Sequence, residues 1–313
     1  MNKFDNFAQK IIGLVPYYKF HTGNSIPQIG FGTSGIGGTR IQEVIKYVVT
    51  ECGYRLIDTA IMYQNQPGIG AALQEIYKTT NIKRSDIFLI SKIPPWMQGT
   101  EKAKEAIDQI LKELQTDYID LMMIHWPYVE GLEKVESKHA EIRLQTWKVM
   151  EEAKDQGKIK DLAMSNFTIE HMEHLFQHCK HKPVLNQLEI HPLYFDEKTI
   201  EFCRKHNILV QAYASLGKGR TNLLEIELIK NLAEKYKKTP AQICLRWAIQ
   251  HKYLIIPKSN NEERMKSNID IFEFEISPED MQKIDAMNEY KKVLPDPHEV
   301  LNSFLNLGKP STK

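Results

Sequence analysis

The stretch "GYRLIDTAIMYQNQ" (residues 53–66) places an acid directly after a short apolar run. Leu56 and Ile57 are predicted to form a buried strand, and Asp58 follows at its end. A carboxylate at the edge of an apolar core is destabilising unless a cation or hydrogen-bond donors compensate it. The stretch therefore predicts a buried partner for Asp58, within reach of Tyr63 in the loop that follows.

Apolar runs of the same kind recur along the chain, and amphipathic stretches separate them. The predicted strands are 28–33, 54–59, 86–92, 118–125, 161–166, 184–190, 208–213 and 253–259. They are continuously apolar rather than alternating, which is typical of strands buried on both faces. Strands that alternate with helices predict an α/β fold, either a closed (β/α)8 TIM barrel or an open doubly wound sheet.

The predicted helices carry ordinary start and stop signals. Residues 100–116 place their apolar side chains along one face, and Gly157 is a good stop for the helix before it. Thr239 with Pro240, and Ser277 with Pro278, have the residue types favoured at a helix N-cap and first turn.

The closed barrel is favoured because no GxGxxG motif opens a helix after an early strand. The stretch "GFGTSGIGG" (30–38) is rich in glycine but lacks that spacing. Before it, "YKFHTGNSIPQIG" (18–30) predicts a β-hairpin that caps the N-terminal end of the barrel. We expect a single domain over 1–313, with an N-terminal extension (1–18) and a C-terminal tail (291–313).

Composition narrows the class of protein. The chain has 313 residues and a net charge of +1, which favours neither a nucleic-acid nor an acidic-membrane partner. Its apolar runs are too short to span a bilayer, and its N-terminus lacks the apolar region of a secretory signal. Four cysteines are scattered without metal or redox spacing, so we expect reduced thiols and a cytoplasmic protein.

Polar side chains follow the strands at the end where a parallel barrel carries its chemistry. The residues at these strand ends are Asp58, Lys92, His125, Ser165, Asn166, Asn186, Gln187, Tyr213, Lys258 and Ser259. Lys92 leaves the strand next to that of Asp58, so the two are predicted to form a buried ion pair.

This arrangement predicts proton transfer to an oxygen atom. An ammonium group near Tyr63 is expected to lower the pKa of the phenol, which would make it a general acid near neutral pH. His125, on the next strand, is expected to hydrogen-bond a substrate oxygen. A site that only donates a proton to oxygen needs a separate source of hydride.

Several motifs, in order from Gly23 to the last helix, give the chain a family resemblance. They are "GFGT", "GYRLIDTAxxY", "ISK", "DLMMIHWP", "GKIKDLAMSNF", "NQLEIHP", "QAYASLG", "TPAQICLRWAI" and "IPKSNNEERMKSNIDIFEF". In these the sequence resembles the aldo-keto reductases. The resemblance implies a (β/α)8 barrel that binds NADPH/NADP+ without a Rossmann domain and reduces aldehydes and ketones.

The resemblance also implies roles for individual residues. Asp58, Tyr63, Lys92 and His125 match the family's catalytic four, with Tyr63 protonating the carbonyl oxygen while the cofactor delivers hydride. The matching cofactor positions are Ser165, Asn166 and Gln187 for the nicotinamide carboxamide and Tyr213 for the nicotinamide ring. Lys258, Ser259, Arg264 and Asn268 match the group around the adenosine 2′-phosphate, and Gly32, Thr33 and Leu216 are further cofactor positions. Among these, Lys258 and Arg264 suit a dianionic 2′-phosphate, which favours NADP over NAD.

The chain departs from the family in places that bear on substrate and cofactor affinity. Residues 64–66 are Gln64, Asn65 and Gln66 where the family usually has Gly-Asn-Glu, so Gln64 and Gln66 are departures. The others are Ser34 for an aromatic residue, Ala214 for a serine, and Ser267 for an acidic residue. Ser34 removes one wall of the usual pocket, which we expect Met62, Trp96 and Trp126 to line as well. We expect a monomer that acts on small aldehydes and dicarbonyl compounds.

Two other readings remain open. One is a catalytically weak, NADPH-binding barrel with a regulatory or structural role. The other is a barrel hydrolase or isomerase that uses His125 and Asp58, which assigns no role to Lys258 and Arg264.

Four histidines between 171 and 181 fall at spacings that a metal site would use. We interpret them as one solvated stripe of an outer helix and predict no functional metal.

Overall fold

The computed structural model describes residues 3–133 and 135–294. Eight parallel strands form one sheet, ordered by sequence. They are β3 (Phe31–Gly32), β4 (Leu56–Asp58), β5 (Phe88–Ile93), β6 (Ile119–Ile124), β7 (Ile159–Ser165), β8 (Leu185–Glu189), β9 (Leu209–Tyr213) and β10 (Leu254–Ile255). Each overlaps one of the predicted strands, although β5 ends one residue later than predicted and β7 begins two residues earlier.

The sheet closes between its first and last strands. Ile29 forms a parallel bridge with Ile255, and the amide of Gly30 donates to the carbonyl of Ile255 at 2.8 Å. Pro257 has no N–H to continue the ladder, which is consistent with the short length of β10. The predicted (β/α)8 barrel is therefore confirmed.

Alternate residues of the strands face the barrel interior and the surrounding helices. The interior apolar layer includes Leu56, Ile90, Leu121, Met123, Ala163, Leu185 and Leu254. The residues between them, such as Ile57, Leu89 and Met122, belong to the larger core against the helices. Burial on both faces explains why the strands are continuously apolar in sequence.

Helices follow the strands around the outside of the barrel. They are α1 (Lys3–Leu14), α2 (Arg40–Thr50), α3 (Gln66–Thr79), α4 (Thr100–Leu114), α5 (Glu136–Asp155), α6 (Ile169–Phe176), α7 (Glu197–Lys205), α8 (Glu227–Tyr236), α9 (Pro240–Gln250), α10 (Glu262–Ile269) and α11 (Pro278–Asp285). The predicted N-caps are confirmed, because Thr239 and Ser277 accept from the amides of Gln242 and Asp280. Within the described ranges no helix is long and apolar enough to cross a membrane.

The predicted hairpin is also confirmed. β1 (Tyr17–Lys19) pairs antiparallel with β2 (Ser25–Pro27), and Gly23 takes a φ of +97° in the turn between them. Phe20 and Ile26 pack with the interior layer, so the hairpin closes the N-terminal end of the barrel.

Helix α1 was not predicted; its residues were assigned only to an N-terminal extension. It packs against the loop before β4, where a Cβ atom on Gly53 would lie 2.8 Å from the carbonyl oxygen of Ala8. Ile11 is buried in the outer core, and Lys10 forms an ion pair with Glu273. Of the predicted C-terminal tail (291–313), residues 295–313 lie outside the described part of the chain.

Candidate active site

Asp58 and Lys92 form the predicted ion pair inside the barrel. The Nζ atom of Lys92 lies 2.7 and 2.6 Å from the two carboxylate oxygens of Asp58 and 3.0 Å from the carbonyl oxygen of Thr59. Both side chains point inward because each follows an interior residue, Leu56 or Ile90, by two positions. Three acceptors surround an ammonium group that has no solvent exposure.

Tyr63 and His125 complete the group of four. Tyr63 ends a short 3₁₀ turn, Ile61–Tyr63, and its ring centroid lies 5.1 Å from Lys92 Nζ. The His125 ring stands edge-on to the Tyr63 ring, with 5.7 Å between centroids. The structure therefore brings together all four residues that the family resemblance assigned to catalysis.

The prediction that Lys92 lowers the pKa of Tyr63 is wrong. The pKa of Tyr63 is raised well above its ordinary value, because burial disfavours the phenolate and the charge of Asp58 acts in the same direction. The hydrogen bonds of Lys92 go to Asp58 and Thr59, so its positive charge is largely compensated. Tyr63 is consequently a phenol that stays protonated, which suits a proton donor.

His125 is electrically neutral in this environment. Burial, followed by the charges of Lys92 and Lys218, lowers the pKa of His125 well below its ordinary value. Its backbone carbonyl accepts from Asn166 Nδ2 at 3.0 Å. A neutral imidazole in contact with Tyr63 can hydrogen-bond a substrate oxygen without introducing a second cation.

The predicted nicotinamide residues lie on the three strands that follow β6. Tyr213 donates to Asn166 Oδ1 at 2.7 Å, and Ser165 donates to the carbonyl of Gln187 at 3.0 Å. Gln187 Nε2 in turn donates to Asp58 Oδ2 at 2.9 Å. These four residues and the catalytic pair thus form one connected polar layer.

The predicted phosphate residues follow β10 and continue into α10. Lys258 and Arg264 are exposed, and neither has an ion pair with any described residue. Ser259 and Asn268 are buried beside them. Two uncompensated cations near a helix N-terminus fit a dianionic phosphate such as the 2′-phosphate of NADP(H).

Gly32, Thr33 and Leu216 lie between these two groups. A Cβ atom on Gly32 would lie 2.7 Å from the carbonyl oxygen of Ile256, so only glycine lets β3 approach β10 this closely. Thr33 donates to the carbonyl of Asp58 at 2.9 Å. Leu216 is half-buried in the loop after β9.

The predicted pocket residues differ in position. Met62 is half-buried and directly precedes Tyr63 in the chain, and Trp126 is buried and directly follows His125. Trp96 is half-buried in the loop after β5, and Ser34 is exposed after β3.

Asn65 has a positioning role that the sequence did not reveal. Its Oδ1 accepts from Thr59 at 2.8 Å, and its Nδ2 donates to the carbonyls of Thr33 and Ile36 at 2.9 and 3.0 Å. It therefore ties the loops after β3 and β4 together behind Asp58. The sequence feature that could have indicated this role is the position of Asn65 in the loop that carries Tyr63, directly after Gln64.

The interpretation of four histidines as one solvated helical stripe is wrong. Helix α6 ends at Phe176, and His171 is buried, 3.3 Å from the hydroxyl of Tyr128. Across the described part of the chain, no group of three or more His, Cys, Asp or Glu residues is arranged to hold a metal ion.

Comparison with known proteins agrees with this geometry. The sequence profile of the Aldo/keto reductase family matches residues 28–289. A glyoxal reductase of Bacillus subtilis (strain 168) is 37% identical over 284 residues, which covers 90% of this chain and 96% of that protein.

Two solved structures are similar throughout. An aldo-keto reductase from a Medee basin deep-sea metagenome library superposes with a TM-score of 0.82 at 35% identity, covering 89% of this chain and 97% of that one. An aldo-keto reductase of Bombyx mori, solved in complex with NADP, gives a TM-score of 0.82 at 28% identity and covers 90% and 95% of the two chains. The chain therefore belongs to the aldo/keto reductase family and is an NADP(H)-dependent oxidoreductase that reduces carbonyl groups.

Proposed function

We propose that this reductase acts on small aldehydes and dicarbonyl compounds, and that Tyr63 is its proton donor. The observation that carries the proposal is the fully buried Lys92, hydrogen-bonded to Asp58 and placed under the ring of Tyr63. The similarity to a glyoxal reductase supports dicarbonyl substrates. The exposed Ser34, where relatives often carry an aromatic residue, is consistent with an open pocket wall.

Tyr63 protonates the substrate oxygen. When bound, NADPH supplies the hydride that the carbonyl carbon receives. The oxygen then becomes an alkoxide, a far stronger base than a phenolate, so a phenol with a raised pKa still gives up its proton readily. The raised pKa also keeps the proton on Tyr63 until the alkoxide develops.

His125 and the ion pair prepare the pocket for that transfer. Neutral His125 orients the substrate oxygen by a hydrogen bond, beside the ring of Tyr63. Lys92 provides the positive charge that stabilises the phenolate after transfer, and Asp58 holds Lys92 in place. This division of labour requires all four residues at the same end of the barrel.

The cofactor is held along the rim of the barrel. Ser165, Asn166 and Gln187 are assigned to the carboxamide and Tyr213 to the nicotinamide ring. Lys258, Ser259, Arg264 and Asn268 are assigned to the adenosine 2′-phosphate, and Gly32, Thr33 and Leu216 to the stretch between. The two exposed cations support this assignment, as does the polar layer around Asp58.

At the level of the whole chain, we infer a single domain that works as a cytoplasmic monomer. The barrel includes strands from β3 to β10, and the helices before and after it pack on the same core. Buried cysteines with a pKa raised to about 12, such as Cys203 and Cys244, are consistent with thiols that stay reduced.

A substrate panel tests the proposal. NADPH oxidation is followed at a fixed enzyme concentration with aldehydes, dicarbonyls and ketosteroids, and repeated with NADH. We expect the highest kcat/KM with small aldehydes or dicarbonyls and with NADPH. A preference for ketosteroids would overturn the substrate class, and tight NADPH binding without turnover on any compound would favour the regulatory alternative.

A further inference from the structure

Two glutamines face each other inside the barrel, in the polar layer around Asp58. Gln187 on β8 and Gln211 on β9 are register partners, and both point inward two residues beyond Leu185 and Leu209. Gln211 has no solvent exposure. A buried amide at this position needs an explanation, because a buried polar group is destabilising unless it is hydrogen-bonded.

The Asp58 carboxylate determines which end of the Gln187 side-chain amide faces it, and Gln187 in turn determines the orientation of the Gln211 amide. The Asp58 carboxylate, already bound to Lys92, accepts a hydrogen bond and cannot donate one, so Gln187 must turn its amide nitrogen toward it. The same nitrogen donates its second hydrogen to Gln211 Oε1 at 2.7 Å. Both amide hydrogens of Gln187 are therefore used, and no described hydrogen bond ends on its side-chain oxygen, Oε1.

Gln211 is poorly satisfied by these contacts. Its Nε2 atom is buried and has no hydrogen-bond partner in the described part of the chain. An apolar side chain of the same length would remove that unpaired donor but would also remove the acceptor of Gln187, so the two changes in stability should largely offset each other. Stability alone therefore does not explain a glutamine here, whereas the hydrogen bond to Gln187 does.

We propose that Gln211 is a positioning residue of the cofactor site. Gln211 accepts a hydrogen bond from the amide nitrogen of Gln187. This bond orients the side-chain oxygen of Gln187, Oε1, to accept a hydrogen bond from the nicotinamide carboxamide. This inference rests on the proposed placement of Gln187 at the cofactor. When Gln211 loses its oxygen, Gln187 loses one of the two bonds that fix its amide, and binding of NADPH weakens.

The test is a pair of Gln→Met substitutions at opposite ends of the barrel. Gln211→Met should raise the Kd for NADPH, measured by fluorescence titration, about five- to tenfold without lowering Tm. Gln28 is a matched control, since its buried amide donates to the carbonyls of Ile249 and Tyr253 at the hairpin end. Gln28→Met should lower Tm and leave the Kd unchanged. An unchanged Kd in Gln211→Met would overturn the proposal.

Two further variants isolate the cause. Gln211→Glu keeps an acceptor oxygen, and burial next to the Asp58 carboxylate should keep the new carboxyl group protonated, so its Kd should stay within about twofold of the wild type. A loss as large as that of Gln211→Met would contradict the proposal. In a Gln187→Met background, Gln211→Met should have no further effect on the Kd, because Gln211 acts through Gln187. Wild-type protein that fails to bind NADPH would refute the proposed function instead, which keeps the two failures distinct.

Discussion

Lys92 is the residue on which the site depends. Its ammonium group is completely buried, and burial lowers its pKa while Asp58 opposes that shift. Removing one partner of such a pair leaves an unpaired buried charge, which typically destabilises a protein by about 3–5 kcal/mol. A pair of this kind is difficult to explain by stability alone, and its position under Tyr63 supplies the functional reason.

With Tyr63 as the proposed proton donor, its raised pKa predicts that the rates of carbonyl reduction and alcohol oxidation depend differently on pH. Reduction uses the protonated phenol, so kcat for reduction should stay nearly constant between about pH 6 and 9. Alcohol oxidation needs the phenolate as base, so its kcat should rise throughout this range and beyond the ordinary Tyr pKa of about 10. Steady-state kinetics in both directions, with saturating cofactor, measure these profiles.

The neutral state of His125 adds an expectation for the acidic end of this pH range. Because its pKa is well below the ordinary value, protonation of His125 should not reduce activity near pH 6. A control titration of NADPH binding over the same pH range separates binding from chemistry. A kcat for reduction that falls with a midpoint below pH 8 would contradict the pKa direction of Tyr63.

At the scale of single residues, the sequence predicted the ion pair of Asp58 and Lys92 but not the direction in which the pKa of Tyr63 is shifted. Asp58 and Lys92 follow neighbouring strands at the same end, so their contact follows from strand geometry. The pKa of Tyr63 depends on how deeply its hydroxyl is buried and on where Lys92 directs its hydrogen bonds. Neither quantity can be read from residue spacing.

The backbone strain at Gln64 also could not be predicted from the sequence. Gln64 has a φ of +53°, a left-handed conformation that glycine, usual here in the family, adopts without steric strain. The left-handed turn is therefore formed here by a residue that carries a Cβ atom, and the residue type alone does not predict this conformation.

At the scale of single elements, β8 also anchors the segment 288–294. The buried carboxylate of Glu189, two residues beyond Gln187, accepts from the backbone amides of Val293 and Leu294 at 2.5 and 2.9 Å. His191 lies 3.2 Å from the same carboxylate. One strand thus carries both Gln187, which we propose for the cofactor site, and the anchor of the last described segment.

Replacing Glu189 with Gln should release this segment. A neutral amide can accept from one backbone N–H but turns its own N–H₂ toward the other, so the anchor weakens by about 1–3 kcal/mol. Hydrogen exchange in peptides that cover 288–294 should become faster, while that of β8 is preserved. The exposed Glu289→Gln is the matched control and should not change exchange. Equal exchange in the two variants would rule out the anchor.

Most elements were predictable, and the exceptions have physical reasons. Capping residues and apolar faces predicted α4, α9 and α11, because those signals are local. Helix α1 was missed although Phe7, Ala8 and Ile11 have helical spacing, because that pattern does not show that the helix docks against Gly53 and the outer core.

At the scale of the whole molecule, stability and chemistry lie at opposite ends of the barrel. The hairpin and α1 close the N-terminal end with apolar contacts, whereas the polar layer around Asp58 lies at the C-terminal end. Because apolar contacts at the N-terminal end stabilise the barrel, the C-terminal end can keep a buried ion pair and unpaired donors.

Ile11→Ala tests that separation. Ile11 is 1% exposed in the outer core, so the substitution should lower the free energy of unfolding by about 2–5 kcal/mol. Below the unfolding transition, kcat and the Kd for NADPH should not change. Gln9→Ala, on the exposed face of α1, should leave stability nearly unchanged. A large loss of kcat in folded Ile11→Ala would show that the two ends are coupled.

The most direct test of the whole account is single-turnover reduction by Tyr63→Phe with saturating NADPH. We expect the rate to fall about 10²–10⁴-fold while the Kd for NADPH is nearly unchanged, because the substitution removes only the hydroxyl group that donates the proton. Tyr17→Phe, at the exposed hairpin, should behave as wild type. Near wild-type turnover in Tyr63→Phe would show that another group donates the proton and would contradict the assigned role of Tyr63.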